Sequence, residues 1–392
     1  MKGNNNMLKL NRGFNDNILI TGVTGFIGRH VLYELINDFL QFNYSGEIIL
    51  LIRGNSRADS FKRLKAILEH EYIPDYLRKF TLDDMLRNIK IIDGALGDDD
   101  LYDKINNSIT NEKKLYVIHC AGSVNLFNNE NAKSEIINNN FNGTQKLLDV
   151  LNNYTFKFTF ISTAFSCGIV DGEIENDYSS YYGKSDFRNH YEQYKNTIEK
   201  IVIDYCSSRL IEYQILRPSV VVGRLIDTPL YYTSKFDVIY GWTKFFWHIR
   251  NNVGEDTIRI QMENTSKINV VPVDYVAKVI KNVFDSDIQF LNIVYPRSTV
   301  NRYMYGQMLK AIDLDKFVFV DDLPINLNKH EKFYYRLTHK VYSPYLNNIK
   351  NEYDTSYLKE IMDDDYIKEI DFINLAKFAI EHDFDDSKLS RV

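Results

Sequence analysis

The chain has 392 residues, 44% of them hydrophobic and 26% charged, with a formal net charge of −6. It is long enough to bury a large core, and its acidic balance argues against a nucleic-acid-binding surface as its main business. No run of about 18 uncharged apolar residues occurs, so no membrane-spanning helix is expected, and the polar stretch Met1–Phe14 lacks the apolar core of a secretory signal.

In chain order, Asn17-Ile18-Leu19-Ile20-Thr21 has the length and apolarity of a buried strand and breaks at Gly22. A helical pattern follows through Val31, Leu32, Leu35 and Ile36. A strand that turns over glycines into a helix presents free backbone N–H groups and a positive helix end to an anion. Gly22 permits the tight turn, Gly25 lets a pyrophosphate approach the backbone, and Gly28 lets helix and strand pack closely. The spacing is Gly-x-x-Gly-x-x-Gly rather than the commoner Gly-x-Gly-x-x-Gly, but its strand-to-helix context is the one a dinucleotide site requires.

Strand-like runs then alternate with helical segments. They are Glu47–Ile52, a helix over Ser60–His70, Ile89–Ile92, Leu115–Cys120, a helix over Ser134–Leu151, Lys157–Ile161, a helix over Tyr191–Tyr205, and Glu212–Leu216. This alternation implies an α/β chain with a Rossmann-type, doubly wound parallel sheet, whose ligand lies outside the carboxyl ends of the strands. The residues that follow each strand therefore matter most: Gly22, Arg53, Gly94, Ala121, Ser162-Thr163 and Arg217-Pro218. An acid at the position of Arg53 would hold the 2′-hydroxyl of NAD, whereas arginine suits a 2′-phosphate, so NADP is expected, with Arg57 and Arg63 assisting.

From about Ile226 the rhythm changes. The aromatic stretch between Tyr231 and Arg250 reads as a substrate-covering helical lobe or as an ordinary aromatic core. Ile268–Val273 is a further strand, a helix follows from Asp274, and beyond Pro296 the chain is mainly helical and charged. The division expected is a dinucleotide-binding domain over 1–225, rejoined by 266–296, with a smaller, mainly helical substrate lobe over 226–265 and 297–392. The acidic runs Asp98–Asp100 and Asp363–Asp365 read as solvated helix ends or loops. Cys120, Cys167 and Cys206 are far apart and have no metal or redox spacing, which fits reduced thiols in a cytoplasmic protein without a metal site.

Tyr191 and Lys195 stand four apart in a helical pattern, which puts both on one face. A free phenol, with a pKa of about 10, needs a neighbour such as an ammonium to favour its phenolate, and that ammonium can also hydrogen-bond a ribose. Thr163, at a carboxyl strand end upstream, supplies a hydroxyl that would hold a substrate oxygen beside the phenol; Ser162 and Ser166 are rivals for this role.

Together Gly22–Gly28, Thr163, Tyr191 and Lys195 resemble the extended short-chain dehydrogenase/reductases, and within them the thioester-reductase and fatty-acyl-reductase (male-sterility) branch. The supporting segments are Leu50-Leu51-Ile52-Arg53-Gly54, His119 to Asn125, Asn140-Phe141-Asn142-Gly143-Thr144, Leu216-Arg217-Pro218-Ser219 and Val271 to Ala277, which keep family order over residues 17 to about 295. The resemblance implies Thr163, Tyr191 and Lys195 as the catalytic set. It implies cofactor contacts from Gly22, Thr24, Gly25, Phe26, Ile27, Gly28, Arg53, Ala121 and Lys195, with Pro218 near the nicotinamide. One departure is Gly94-Ala95-Leu96, where the family carries Gly-Asp-Leu with an adenine-contacting carboxylate.

The function implied is NADPH-dependent reduction of an acyl thioester, carried on coenzyme A or on an acyl-carrier protein, to an aldehyde or an alcohol. The chain is expected to act alone on an already activated acyl group, with the aromatic lobe lining an apolar acyl pocket. The alternative on the same scaffold is a reductase or epimerase acting on a sugar nucleotide or other carbonyl compound. Ala164-Phe165 stands where sugar-nucleotide dehydratases place an acidic pair after the threonine, which disfavours dehydration but leaves epimerisation open. A catalytically silent NADP-binding protein is a third reading, and the presence of all three catalytic side chains argues against it.

Overall fold

Seven parallel strands form the central sheet of the computed structural model, which describes residues 14–110, 112–183, 186–347 and 351–389. They are β1 (Asn17–Thr21), β2 (Ile48–Ile52), β3 (Ile89–Asp93), β4 (Leu115–His119), β5 (Phe156–Ile161), β6 (Glu212–Pro218) and β7 (Phe290–Ile293). Their spatial order is β7-β6-β5-β4-β1-β2-β3. The order reverses at β1, whose Ile20 lies opposite Leu50 on one side and Ile118 on the other. Ligands of open α/β sheets bind at such a reversal. β1, β2 and β5 are buried along their whole length, as strands covered on both faces require. The residues before Phe14, including most of the polar N-terminal stretch, lie outside the described residues.

Helix α1 (Phe26–Phe42) packs against α7 (Val273–Val283) on one face of the sheet. Between them in the chain come α2 (Ser60–Leu68), α3 (Glu130–Ile136), α4 (Gly143–Val150), α5 (His190–Ser208) and α6 (Ile239–Ile249). The helix expected over Ser134–Leu151 is interrupted: a π-helical turn at Ile137–Asn142 separates α3 from α4. There Asn140 exchanges two hydrogen bonds with the Ser123 backbone (2.7 and 2.9 Å), and Thr144 Oγ1 donates to the Asn140 carbonyl (2.7 Å). Ile268–Val273 is likewise divided, into Lys267–Ile268 and Val270–Pro272, the latter pairing in parallel with Val220–Val222.

A second core carries Trp242, Phe246, Met304, Tyr305, Tyr334, Phe372 and Leu375. It is built from α6, α8 (Asn301–Ala311), α9 (Lys329–Leu337), α10 (His339–Leu346) and α11 (Phe372–Glu381). This region is not purely helical, because Ile258–Gln261 pairs with Phe317–Val320. Leu358, Ile361 and Met362 return to the core on the α1 face of the sheet.

His119 closes β4, fully buried, with Nδ1 2.6 Å from Thr21 Oγ1 and Nε2 2.9 Å from Thr144 Oγ1. Burial, and secondarily the Lys195 charge, pushes its pKa down to about 3. The unfolded chain protonates this imidazole near about pH 6.5, so below that pH the unfolded state holds one proton more than the folded state. Stability therefore falls with pH through this window, by up to about 1.4 kcal/mol per pH unit. Urea unfolding at about pH 7 and about pH 5 is expected to show a smaller acid loss in His119→Gln than in the native chain; equal losses contradict this account.

Candidate active site

The loop after β1 approaches its neighbours so closely that side chains are excluded. Gly22 has φ +74°, and a Cβ there would lie 2.5 Å from the Ala121 nitrogen. A Cβ on Gly28 would lie 2.4 Å from the Gly22 carbonyl oxygen. Gly25 precedes α1 with no side-chain cap, and the first turn of α1 carries no acidic residue. The N–H groups of that turn and the positive end of the helix are thus presented to an anion. This cradle fits the pyrophosphate of a dinucleotide, for which the free backbone and the missing Cβ atoms are the requirement.

A cavity of about 230 Å³ runs from this loop across the ends of β4, β5 and β6. It is lined by Gly22, Gly25, Phe26, Ile27 and Gly28, by Cys120 and Gly122, by Ser162, Thr163 and Phe165, by Tyr191 and Glu192, and by Pro218. The structure thus brings Thr163, Tyr191, Pro218 and the glycine loop to one space. Thr24 and Arg63 line a second cleft, and Lys235 lines both. Arg53, Ala121 and Lys195 line neither.

Each hydroxyl beyond β5 has a distinct environment. Ser162 and Ser166 both donate to the buried Glu199 carboxylate (2.5 Å each). Thr163 Oγ1 accepts the Phe165 N–H at 3.4 Å, and its own O–H is donated to no described residue. Ser166 does not reach the cavity, so Thr163 is the hydroxyl there that is free to donate.

Helix α5 carries Tyr191 in its first turn. Asn189 caps the helix by accepting the Glu192 N–H (3.0 Å), and the Glu192 carboxylate takes Tyr345 Oη at 2.5 Å and Arg188 Nη1 at 3.3 Å. Lys195 lies on the same helix face, its Nζ 6.0 Å from the centre of the Tyr191 ring. The ammonium donates to the Ile161 carbonyl (2.8 Å) and sits 4.6 Å from the Phe160 ring centre. The expected depression of the Tyr191 pKa is not what the structure gives. Burial, with Glu192 next door, pushes this phenol up, and Lys195 is not among the causes. Burial also brings Lys195 down to about 8, against the pull of Glu199 and Cys120.

The aromatic stretch behaves mainly as core. Trp242 and Phe246 are fully buried against Tyr305 and Tyr334, and among the aromatic residues of 231–247 only Tyr240 lines the cavity. The cavity's aromatic wall is completed by Tyr305, Tyr342 and Tyr345 of α8 and α10, three residues that local sequence reading missed because they come from helices far along the chain. Arg29 was missed as well. It directly follows Gly28, is 8% exposed, lines the second cleft, donates to Tyr232 Oη, and has a buried Nε without a partner among the described residues. Arg63 Nη1 donates to the Arg53 carbonyl (2.6 Å), so it lies beside the end of β2. Asp98, near the Gly94-Ala95-Leu96 departure, is held by the Ala95 N–H and Lys104 (2.9 Å each) and reaches neither cavity.

Among the described residues no group of acids, histidines and cysteines is arranged to hold a metal ion, and no helix is long and apolar enough to cross a membrane.

Among curated proteins, the chain is similar to an isonitrile lipopeptide synthase of Mycobacterium tuberculosis, 28% identical over 149 residues. It is also similar to a dTDP-D-glucose 4,6-dehydratase of Dictyostelium discoideum, 25% identical over 218 residues. These matches cover 38% and 54% of this chain, and only 6% and 45% of the relatives. The fold is similar to the terminal R domain of the myxalamid PKS-NRPS biosynthetic pathway, with a TM-score of 0.64 at 18% identity over 94% of this chain and 91% of that one. It is similar to a thiolation-reductase di-domain of an archaeal non-ribosomal peptide synthetase, with a TM-score of 0.63 at 17% identity over 95% and 92%. It also resembles a UDP-N-acetylglucosamine 4-epimerase of Methanobrevibacter ruminantium, with a TM-score of 0.56 at 20% identity over 94% and 99%. The profile of the male sterility protein family matches residues 20–280. With more than half of its length so matched, the chain belongs to this family of extended short-chain dehydrogenase/reductases, enzymes that work with a nicotinamide cofactor.

Proposed function

We propose that this enzyme reduces an acyl thioester with NADPH, using Thr163, Tyr191 and Lys195 as its catalytic set. The observation that carries the reading is the shared cavity. It places the Thr163 hydroxyl and the Tyr191 phenol beside the glycine loop and Pro218, under a wall that includes Phe165, Val238, Tyr240 and Ile268. An apolar wall suits an acyl chain, and Glu192, Ser219, Lys235 and Asp237 add polar groups to the same lining.

When bound, the dinucleotide supplies the hydride that adds to the thioester carbonyl carbon. Negative charge then builds on the carbonyl oxygen, where the Thr163 O–H and the Tyr191 O–H donate hydrogen bonds. Tyr191 gives its proton to that oxygen. The phenol is protonated at neutral pH and so holds the proton to be given, while burial raises its pKa and makes it a weaker acid than a free tyrosine. Lys195, anchored on the Ile161 carbonyl, is the cation available to a ribose hydroxyl. Cleavage of the carbon–sulfur bond of the resulting hemithioacetal releases the thiol and an aldehyde, and a second reduction gives the alcohol.

The thiol is coenzyme A or the phosphopantetheine arm of a carrier protein. The similarity to a thiolation-reductase di-domain supports the carrier. Preference for NADPH is supported by the second cleft, where Arg63 and the partly unpaired, buried Arg29 lie next to Thr24. Charge-assisted hydrogen bonds of about 1.5–3 kcal/mol are at stake there. Arg63→Ala is therefore expected to raise the KM for NADPH by about tenfold or more and to leave that for NADH nearly unchanged. Steady-state kinetics with both cofactors checks it, and equal effects on the two would contradict the assignment.

The same scaffold in the epimerase neighbours defines the test. Reduction of an acyl thioester consumes NADPH in step with the appearance of free thiol. Interconversion of UDP-sugars without net cofactor consumption would replace this reading by that of an epimerase.

A further inference from the structure

On the outer side of the second core, α9 turns a buried stripe inward. Glu331 is fully buried and accepts Arg259 Nη2 at 2.7 Å, and Tyr334 is fully buried against Phe246. The opposite face is unusual. Lys329, Lys332 and Arg336 are exposed at helical spacing, and none forms an ion pair with a described residue. On the same helix Phe333 is 40% and Leu337 48% exposed.

The loop leading into this helix continues the pattern. Leu323 is 56% exposed and Ile325 78%, on either side of Pro324. The loop is tied to the helix by Asn328, whose side chain accepts the Glu331 N–H (2.9 Å) in a reciprocal capping box. Of the nearby acids, Asp321 is paired with Arg302 at 2.9 Å, and Asp322, exposed at the start of the loop, offsets one of the three cations and leaves a net positive charge.

We propose that the 323–325 loop and the outer face of α9 dock the enzyme on an anionic lipid surface. Phe333 shares a surface depression with Lys329, Lys332 and Arg336, Arg336 lying 5.8 Å from its ring centre, and with the exposed Leu323, Ile325 and Leu337 on the same stretch of chain this is the composition of a segment that lies in a membrane interface. The cations meet lipid phosphates and carboxylates, while Ile325 and Leu323 enter the acyl boundary. A fluid apolar layer receives an isoleucine this exposed without needing a matching pocket, which an acidic protein partner would have to supply. Charge complementarity sets the orientation, because the chain as a whole carries −6 and only a local basic face is drawn to an anionic layer. None of these residues lines either active-site cavity, so the inference stands apart from the proposed catalysis.

The test is co-sedimentation of the full chain with vesicles of phosphatidylcholine containing phosphatidylserine, and with phosphatidylcholine alone. The expected result is pelleting with the phosphatidylserine vesicles that weakens as salt rises. Ile325→Asp and the double variant Lys332→Glu/Arg336→Glu should each lower partitioning by about tenfold or more. Their circular dichroism and urea midpoints should match the native chain, which excludes unfolding as the cause. A chain that remains in the supernatant with phosphatidylserine vesicles overturns the proposal. So do variants that partition as the native chain does, or binding that appears only with an acidic protein.

Discussion

Tyr191→Phe is expected to lower kcat for NADPH-linked thioester reduction by about 10²–10⁴-fold, the usual worth of a positioned general acid. The phenyl ring keeps its place in the first turn of α5 at the cavity wall, so the loss is confined to one O–H. NADPH affinity, followed by fluorescence titration, should stay unchanged, since the proposed contacts of the dinucleotide are on the loop and in the arginine cleft. Thr163→Val removes the second proposed donor and should add less than its separate effect when combined with Tyr191→Phe, because in the proposed mechanism the two hydroxyls act on one oxygen. Full activity in Tyr191→Phe would remove this residue from the mechanism.

Arg217→Ala is expected to destabilise the fold by about 3–5 kcal/mol, the cost of leaving a buried charge unpaired. Arg217 is fully buried, and its guanidinium holds Glu199 through Nη2 (2.7 Å) and Nε (3.0 Å), donates to the Asn176 carbonyl (2.7 Å) and lies 3.6 Å from the Tyr178 ring centre. Glu199 in turn accepts Ser162, Ser166 and Tyr182, so this pair ties the end of β5 to α5 and β6 at the rim of the active site. Urea unfolding measures the loss. Replacing both partners, in Arg217→Met/Glu199→Leu, should recover much of it, because the unpaired charge is then gone. A loss below about 1 kcal/mol in Arg217→Ala would mean that the pair is solvated rather than buried.

Six of the seven strands were legible because each is an apolar run set between helical patterns, and β1, β2 and β5 show the burial on both faces that such a run means; β7 (Phe290–Ile293) was missed, and the strand expected at Ile268–Val273 pairs outside this sheet. The glycine loop was legible for a related reason: Gly22 and Gly28 stand where backbone contacts of 2.4–2.5 Å would meet any Cβ. What was hidden depends on tertiary partners. The π turn at Ile137–Asn142 arises from Asn140 bridging to Ser123, seventeen residues away, and no local pattern encodes such a pairing. Aromatic density between Tyr231 and Trp247 looks the same whether rings face a core or a cavity. Contacts with Tyr305 and Tyr334 decide that Trp242 and Phe246 are core. The four-residue spacing of Tyr191 and Lys195 correctly put them on one helix face, but spacing does not encode burial. With Lys195 turned to the Ile161 carbonyl, desolvation and then Glu192 raise the phenol's pKa, and the ammonium is not among the causes.

The central claim is most directly tested by following NADPH oxidation by absorbance with acyl-coenzyme A substrates from short to long, with the same acyl groups on a carrier protein, and with NADH in parallel. The account predicts oxidation that requires the acyl thioester, is faster with NADPH than with NADH, and disappears in Tyr191→Phe. NADPH binding without oxidation on any acyl thioester, whether on coenzyme A or on a carrier, would contradict it.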